Sequence, residues 1–308
     1  MINPKDLILS HNFKNSWCPD LSDKHYHSDK TALGSSSIRT ALRSLKEFYW
    51  EFQGEEKKET KDMRLGKIIH MAILEPERFR QCYVIEPIFE GRTQKGELTT
   101  NPNCKEVKEK REAWLADLGP TAMVIDENEM EMITGIATSI QEYPDAMMLI
   151  EDARTEVSGY YRDPDTGLGM KIRPDMLLIG DVALITDLKS TVDAEEFKFG
   201  TQAFGDDKRY DIQLFQYAEG ARLISGKDVP QVHIIAVEKT PPYEVAVYYF
   251  LREDLAQAEQ DYRATLRKIK SAIEFEKWPQ RQMTMQRIRT PKWFINNSVE
   301  QDSIQEGV

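Results

Sequence analysis

Long apolar runs are missing from this chain of 308 residues, and nowhere does the sequence offer the roughly 18 consecutive apolar residues of a membrane-spanning helix. Its start, MINPKDLILSHNFKNSW, lacks a basic segment followed by an apolar one. Neither a membrane span nor a secretory leader is expected, and a cytoplasmic location is. Cysteine is scarce: Cys18, Cys82 and Cys104 are odd in number and far apart. That spacing excludes a disulfide framework, a paired-cysteine zinc site and a four-cysteine iron–sulfur cluster within one chain. No G-x-x-x-x-G-K-[ST] loop is present, so no nucleotide-driven motor and no ATP requirement are expected. With 16 glycines and 14 prolines the chain is neither fibrous nor disordered in composition. Basic residues are in deficit, 41 against 52 acidic ones, for a net charge of −11. Such a chain does not coat nucleic acid through bulk charge, although a local basic channel around an acidic site remains open to it.

Hydrophobic residues at 40% and aromatics at 9% are enough to enclose a core, in one large domain or two small ones. The stretch 1–34 reads as polar and irregular. His25-Tyr26-His27 within it reads as surface chemistry, since no third metal ligand lies nearby. Apolar residues then recur at Ile38, Ala41, Leu42, Leu45, Tyr49 and Phe52, predicting a helix over 38–52 that ends in the charge run 54–58. A second helix over 62–74 carries Leu65, Ile69, Ala72 and Ile73 on one face and is closed by Pro76. Residues 80–103 read as irregular, with an exposed loop over 91–96. A polar helix over 105–118 follows, then one opened by Asp126 and Glu129 in capping-box spacing.

The period changes beyond residue 156. The stretches 157–161 and 169–173 flank Asp163-Pro164-Asp165-Thr166-Gly167, a strong turn signal, and so predict a hairpin. Strands over 176–179 and 182–189, turning at Gly180-Asp181, extend it into a three-strand meander. A helix over 211–223 stopping near Gly226, two strands over 232–237 and 244–250, and an amphipathic helix over 254–276 complete the order. The whole predicts one mixed α/β domain over 35–280 with its core at about 150–250, and a polar tail over 281–308.

Chemistry concentrates around Asp187-Leu188-Lys189. Residues two apart on a strand share a face, so the carboxylate and the ammonium stand side by side while Leu188 points into the core. If the strands on either side of Gly180-Asp181 pair, Asp175 falls beside Asp187. Two carboxylates that close repel each other by about several kcal/mol unless a cation lies between them. Oxygen ligation suits Mg²⁺ or Mn²⁺. Glu156 is placed to supply a third carboxylate. Gln213 and Tyr217, four apart on a helix, project from one face and can hydrogen-bond a phosphate or a water. Gly66 and His70 are also four apart, leaving room beside the imidazole, although a half-buried structural histidine is an equal reading of His70 on spacing alone.

Arg173-Pro174-Asp175, Asp187-Leu188-Lys189 and Gln213-Leu-Phe-Gln-Tyr217 together resemble the PD-(D/E)XK nuclease superfamily, with its downstream Q-x-x-x-Y motif. Leu65-Gly66-Lys67-Ile68-Ile69-His70, followed by Leu74-Glu75-Pro76-Glu77-Arg78-Phe79, and the segment 36–45 resemble the phage-type RecE exonucleases (the exodeoxyribonuclease VIII family). The likeness runs from about residue 35 to 250. It implies a restriction-endonuclease-like core, a central mixed β-sheet flanked by helices. It implies Asp175, Asp187, the Leu188 carbonyl, Glu156 and His70 as ligands of Mg²⁺, two ions per site with Mn²⁺ able to substitute. Lys189 would polarise the attacking water, and Gln213 and Tyr217 would serve the substrate side. The activity implied is ATP-independent 5′→3′ degradation of one strand of linear duplex DNA, leaving 3′ overhangs for recombination.

The same resemblance implies a phage- or prophage-encoded protein in a bacterial cytoplasm, acting as a homo-oligomeric ring (trimer or tetramer) on duplex DNA ends with a single-strand annealing protein as partner. Basic residues that could line the DNA path are Lys171, Arg173, Lys198, Lys208, Arg209, Arg287, Arg289 and Lys292. Rival readings keep the fold but change the activity: an endonuclease, a repair nuclease of other polarity, or a catalytically silent DNA-end-binding oligomer. A third rival is an unrelated α/β enzyme with Asp187 and Lys189 as a surface pair. Removing Asp187 alone is expected to abolish cleavage and leave the fold intact. Lys189→Ala is expected to leave metal binding largely unchanged and to cripple the chemical step; unaltered turnover of labelled DNA would take Lys189 out of the mechanism.

Overall fold

Three apolar stretches, at 176–179, 183–191 and 231–238, are rich in Ile, Leu and Val, and they form the interior of the main sheet. The structure, a computed structural model, describes residues 14–54, 59–119, 122–205, 208–281, 284, 285, 287, 289 and 290. Its strands are β1 (Ser16–Cys18), β2 (Tyr83–Ile85), β3 (Gly91–Arg92), β4 (Leu98–Thr99), β5 (Met123–Ile125), β6 (Arg154–Thr155), β7 (Ser158–Arg162), β8 (Gly169–Ile172), β9 (Met176–Ile179), β10 (Ala183–Thr191), β11 (Gln231–Glu238) and β12 (Val245–Leu251). Its helices are α1 (Asp23–Ser28), α2 (Ser35–Arg43), α3 (Leu45–Gln53), α4 (Lys61–Leu74), α5 (Pro76–Cys82), α6 (Lys105–Asp117), α7 (Glu127–Gln141), α8 (Pro144–Glu151), α9 (Glu196–Phe204), α10 (Tyr210–Ser225) and α11 (Ala256–Phe275).

The main sheet runs β12-β11-β10-β9-β6, and a second sheet runs β1-β7-β8. Within the main sheet β10 and β11 pair in parallel, joined through α9 and α10, and the other neighbours are antiparallel. Alternation along the strands divides the core. Leu177, Ile185 and Ile234 pack with Ile212 and Leu214 of α10, Tyr262 and Leu266 of α11, and Ile38 of α2. Met176, Leu188, Ile235 and Val237 pack with Ile69 of α4, Ile136 and Ile140 of α7, and Ala146 of α8. The mixed α/β architecture, a central sheet between helical layers, agrees with the sequence-based expectation.

The departures have local causes. The helix expected over 38–52 is two helices, because Ser44 is extended (φ −163°, ψ 121°) and its hydroxyl accepts from the Glu47 amide to cap α3. Pro76 does not merely close α4; it occupies the first turn of α5, where its missing N–H costs nothing. Residues 80–103 are not irregular, holding the end of α5, the strand β2 and the β3–β4 hairpin. Residues 16–34 contribute β1, paired with β7, and α1, which buries Tyr26. The expected meander is split: β7 and β8 lie in one sheet, β9 and β10 in the other. The expected charge-run end over 54–58 and the polar tail lie mostly outside the described residues, as does Lys292.

Close approach of α10 to the β7–β8 hairpin depends on Gly220. A Cβ there would stand 2.7 Å from Tyr161 and 2.8 Å from Ile172, both fully buried. Gly220→Ala is expected to lower stability by roughly 1–3 kcal/mol through overpacking. Gly200→Ala in α9, where a Cβ meets nothing within 4 Å, should instead raise it by roughly 0.5–1 kcal/mol through helix propensity. Thermal unfolding of the two variants checks the opposite signs.

Candidate active site

Antiparallel pairing of β9 with β10 ends at Met176 opposite Thr186. One step further in the same register brings Asp175 opposite Asp187, the juxtaposition the sequence predicts. There the chain leaves the main sheet, since Pro174 has no N–H to extend a ladder and Arg173 leads back to β8. Beyond this fork β10 runs on without β9, and the Asp175 carboxylate takes the freed amide of Leu188, with Oδ2 accepting at 2.6 Å. The Asp175 carbonyl accepts from the Glu156 amide at 3.0 Å. Glu156 sits at the other crossing between sheets, from β6 to β7, in the left-handed region (φ 54°). This non-glycine strain lies beside the cluster it serves.

Asp187 faces α10. Its Oδ1 accepts from Gln213 Nε2 at 3.2 Å, and the same amide donates to the Tyr217 hydroxyl at 2.9 Å. Lys189, two residues along, sets its ammonium against Asp187 Oδ2 and 5.0 Å from the Tyr210 ring centroid. Leu188 turns the other way, into the core with Ile69. From α4, His70 places Nδ1 3.5 Å from Asp175 Oδ2. Gly66, one turn earlier, has nothing within 4 Å of where a Cβ would stand, so this face is open.

Burial and crowding set the charges. Burial first, then the charge of Asp187, pushes the Asp175 carboxyl well above the usual carboxylate range. Burial and Asp175 push Glu156 up to about 7 against the pull of Arg173. His70 is pushed down by burial and by the Lys189 cation, so its imidazole is neutral with a lone pair to give. Burial works against the Lys189 charge, but Asp187 and Asp175 outweigh it and hold the ammonium protonated. One ligand atom each from His70, Glu156 and Asp175 lies within 4.8 Å of the others. Two carboxylates driven toward neutrality by burial and by a neighbouring carboxylate, with a neutral imidazole beside them, fit a divalent cation.

The structure brings Asp175, Glu156, His70, Asp187, Lys189, Gln213 and Tyr217 together around the fork. Within that group Asp187 is engaged by Lys189 and Gln213, while the threefold donor cluster is His70, Glu156 and Asp175. Asp187 is the nearest counter-charge of the half-buried Lys189, so its removal is expected to cost stability as well as cleavage. Lys171 and Arg173 are also corrected as DNA-lining residues. Lys171 is 7% exposed and its ammonium donates to the carbonyls of Tyr26 and Asp29. Arg173 is buried against Glu156, Leu21 and Ser158, where it fixes the fork. Arg209 is tied to Asp211 and Asp261, and Lys198 to Asp193. Arg39 of α2 was not anticipated: it lies half-buried among Tyr217, Tyr210 and Asp187, and donates to the Lys208 carbonyl. An arginine next to Ile38 on an amphipathic helix reads as solvent-facing, so no sequence signal marks it.

Residues 34–291 match the family described as a PDDEXK-like domain of unknown function (DUF3799). The chain belongs to that family. A solved structure of a candidate exonuclease from Eubacterium rectale is similar over 88% of this chain and 96% of its own length, with a TM-score of 0.57 and 17% identity. A second, SSO0001, aligns over 80% of this chain and 87% of its own at 13% identity, with a TM-score of 0.29. No curated protein matches this chain. The PDDEXK-like domain therefore has the PD-(D/E)XK nuclease fold, and the fork that gathers its carboxylates lies within the matched region. No helix among the described residues is long and apolar enough to cross a membrane.

Glu156 ionises at about 7 in the folded chain, above its ordinary value of 4.5. A folded value above the unfolded one means that the cost of charging is absent below pH 4.5, grows between 4.5 and 7, and is complete above 7. In EDTA, wild type should therefore lose on the order of 3 kcal/mol relative to Glu156→Gln between pH 5 and pH 8. His70, held neutral, works in the opposite sense below pH 6.5, which is why the difference between the two proteins is the readout. Mn²⁺ should raise the melting midpoint more at pH 8 than at pH 5. A midpoint indifferent to Mn²⁺ at both values would take Glu156 and Asp175 out of the cation site.

Proposed function

We propose that this PDDEXK-like chain is a metal-dependent nuclease that hydrolyses phosphodiester bonds at the ends of duplex DNA, removing one strand 5′→3′ and leaving 3′ overhangs. The observation that carries the hydrolytic part is the meeting of Asp175, Glu156 and His70 within 4.8 Å, next to a Lys189 ammonium held against Asp187. Asp175, Glu156 and His70 would hold divalent cations, with Asp187 and the Leu188 carbonyl as further ligands, and such ions would supply positive charge for the scissile phosphate and the leaving oxyanion. Mg²⁺ is the expected ion and Mn²⁺ the expected substitute.

The chain's own residues have separable tasks. Lys189 stays charged and donates a hydrogen bond to the attacking water, favouring its deprotonation. Asp187 aims that ammonium, and Gln213 holds Asp187 in turn while donating to Tyr217. The Tyr217 hydroxyl keeps its proton, since burial raises its pKa, and so retains a donor for the substrate side. His70 stays neutral and serves as a ligand rather than as an acid. Exonucleolytic polarity rests on the RecE-like segments at 36–45 and 65–79. A ring of three or four copies, with a single-strand annealing protein as partner, belongs to the same reading, and enclosure would keep a chain of net charge −11 on DNA.

Linear duplex DNA labelled at the 5′ or the 3′ end tests this reading. Prompt release of the 5′ label with Mg²⁺, none with EDTA, and retention of the 3′ label are expected. Asp175→Asn should slow release at least a hundredfold. Cutting of covalently closed circles would make the enzyme an endonuclease. End binding without release under any divalent ion would make it a silent binding module.

A further inference from the structure

Away from the carboxylate cluster, positive charge gathers on α11 and the turn after it. Residues 263–281 hold six basic side chains against two acidic ones, in a chain of net charge −11. Arg263 is committed to Glu259, Glu219 and Asp165. Arg267, Lys268 and Lys277 are exposed and have no carboxylate partner among the described residues. Arg267, Lys268, Ser271 and Phe275 recur at helical spacing and face one open groove of about 750 Å³, shared with Leu45 and Lys277. None of the residues that line it is acidic.

The far side of the groove is built, not frayed. Glu276 turns the chain in the left-handed region (φ 53°), and the Lys277 amide donates to Ala272 at 3.1 Å. Trp278 then stacks on Tyr49 at 4.6 Å and leans on Phe48 at 5.9 Å. Against that anchored turn Phe275 keeps its ring 70% exposed. Unpaired cations beside an open aromatic face are the two parts of a single-strand binding surface, backbone charge on one and base stacking on the other.

We infer that this groove binds a single nucleic-acid strand, with phosphates on Arg267, Lys268 and Lys277 and a base stacked on Phe275. The inference rests on the nuclease reading only for the identity of the strand as DNA. A duplex has no unpaired base to give Phe275, and an acidic peptide would use the cations but not the ring.

Fluorescence anisotropy of a labelled dT strand of about 20 nucleotides, read with the full chain in EDTA so that nothing is cleaved, tests it. The triple variant Arg267→Ala, Lys268→Ala, Lys277→Ala should bind at least tenfold more weakly, with a salt slope smaller by about 2. Phe275→Ala should bind about fivefold more weakly or worse, with the slope unchanged. All four side chains are exposed, so melting midpoints should not move. Equal affinity of the triple variant and wild type overturns the proposal, as does displacement of the label by blunt duplex or by polyglutamate as readily as by unlabelled dT. Label release from linear duplex by wild type, run in parallel with Mg²⁺, separates the two readings. Release with dT affinity unchanged in the variants leaves the nuclease and removes the groove; lost affinity without any release does the reverse.

Discussion

Crowding of carboxylates at the fork between β9 and β10 is the constraint on which the rest of the site depends. Asp175 and Asp187 face each other because one antiparallel register carries both, and no rotamer choice separates two residues that the ladder places side by side. The chain meets the resulting repulsion in two ways. Lys189 and Gln213 answer Asp187, and the Leu188 amide and the His70 imidazole answer Asp175. Glu156, brought in by a strained crossing, adds a third carboxylate without a lysine of its own; Arg173 holds one of its oxygens. The arrangement is thus compensated on the Asp187 side and left short of positive charge on the Asp175 side, and that is the side on which three donor atoms converge.

The fork explains why buried cations serve the scaffold and not the substrate. Lys171 of β8 and Arg173, just beyond its end, reach backbone carbonyls of the amino-terminal segment. Lys171 closes the carbonyls at the end of α1, and Arg173 clips Leu21 and Ser158 while steadying Glu156. Both read from sequence as strand charges free to meet DNA. Their alternation on β8 gave no warning, because both faces of that strand are covered, one by α10 and the other by the amino-terminal segment.

Most of the candidate site was legible because it lies on elements with strong local signals. Period-two apolar strands around Gly180-Asp181 fix a register, and register alone joins Asp175 to Asp187. Helical spacing alone joins Gln213 to Tyr217. His70 needed the packing of α4 on the sheet, a long-range contact that no spacing announces, and only the resemblance at 65–79 singled it out. Arg39 had neither signal. In the fold, the break at Ser44 and the short elements between 76 and 99 were lost for the same reason: apolar periodicity shows which face is buried, but a single extended residue or a two-residue strand leaves too little pattern to detect. The division of the meander falls between β8 and β9, where Pro174 cannot extend a ladder; the other crossing, from β6 to β7, is made by Glu156 in a left-handed backbone that is unexpected for a glutamate.

Charge distribution ties the site to what it must bind. A phosphodiester brings another negative charge to Asp175, Glu156 and Asp187, and at protein dielectric such repulsion is worth more than any single hydrogen bond the site offers. Lys189 cannot cancel it, since Asp187 already holds that ammonium. A divalent ion held by His70, Glu156 and Asp175 would supply the positive charge that the cleft lacks for a phosphate. The same reasoning makes a net charge of −11 compatible with work on nucleic acid. Net charge does not decide where phosphate is attracted; local groups of basic side chains do, and Arg267, Lys268 and Lys277 line one groove without an acidic residue.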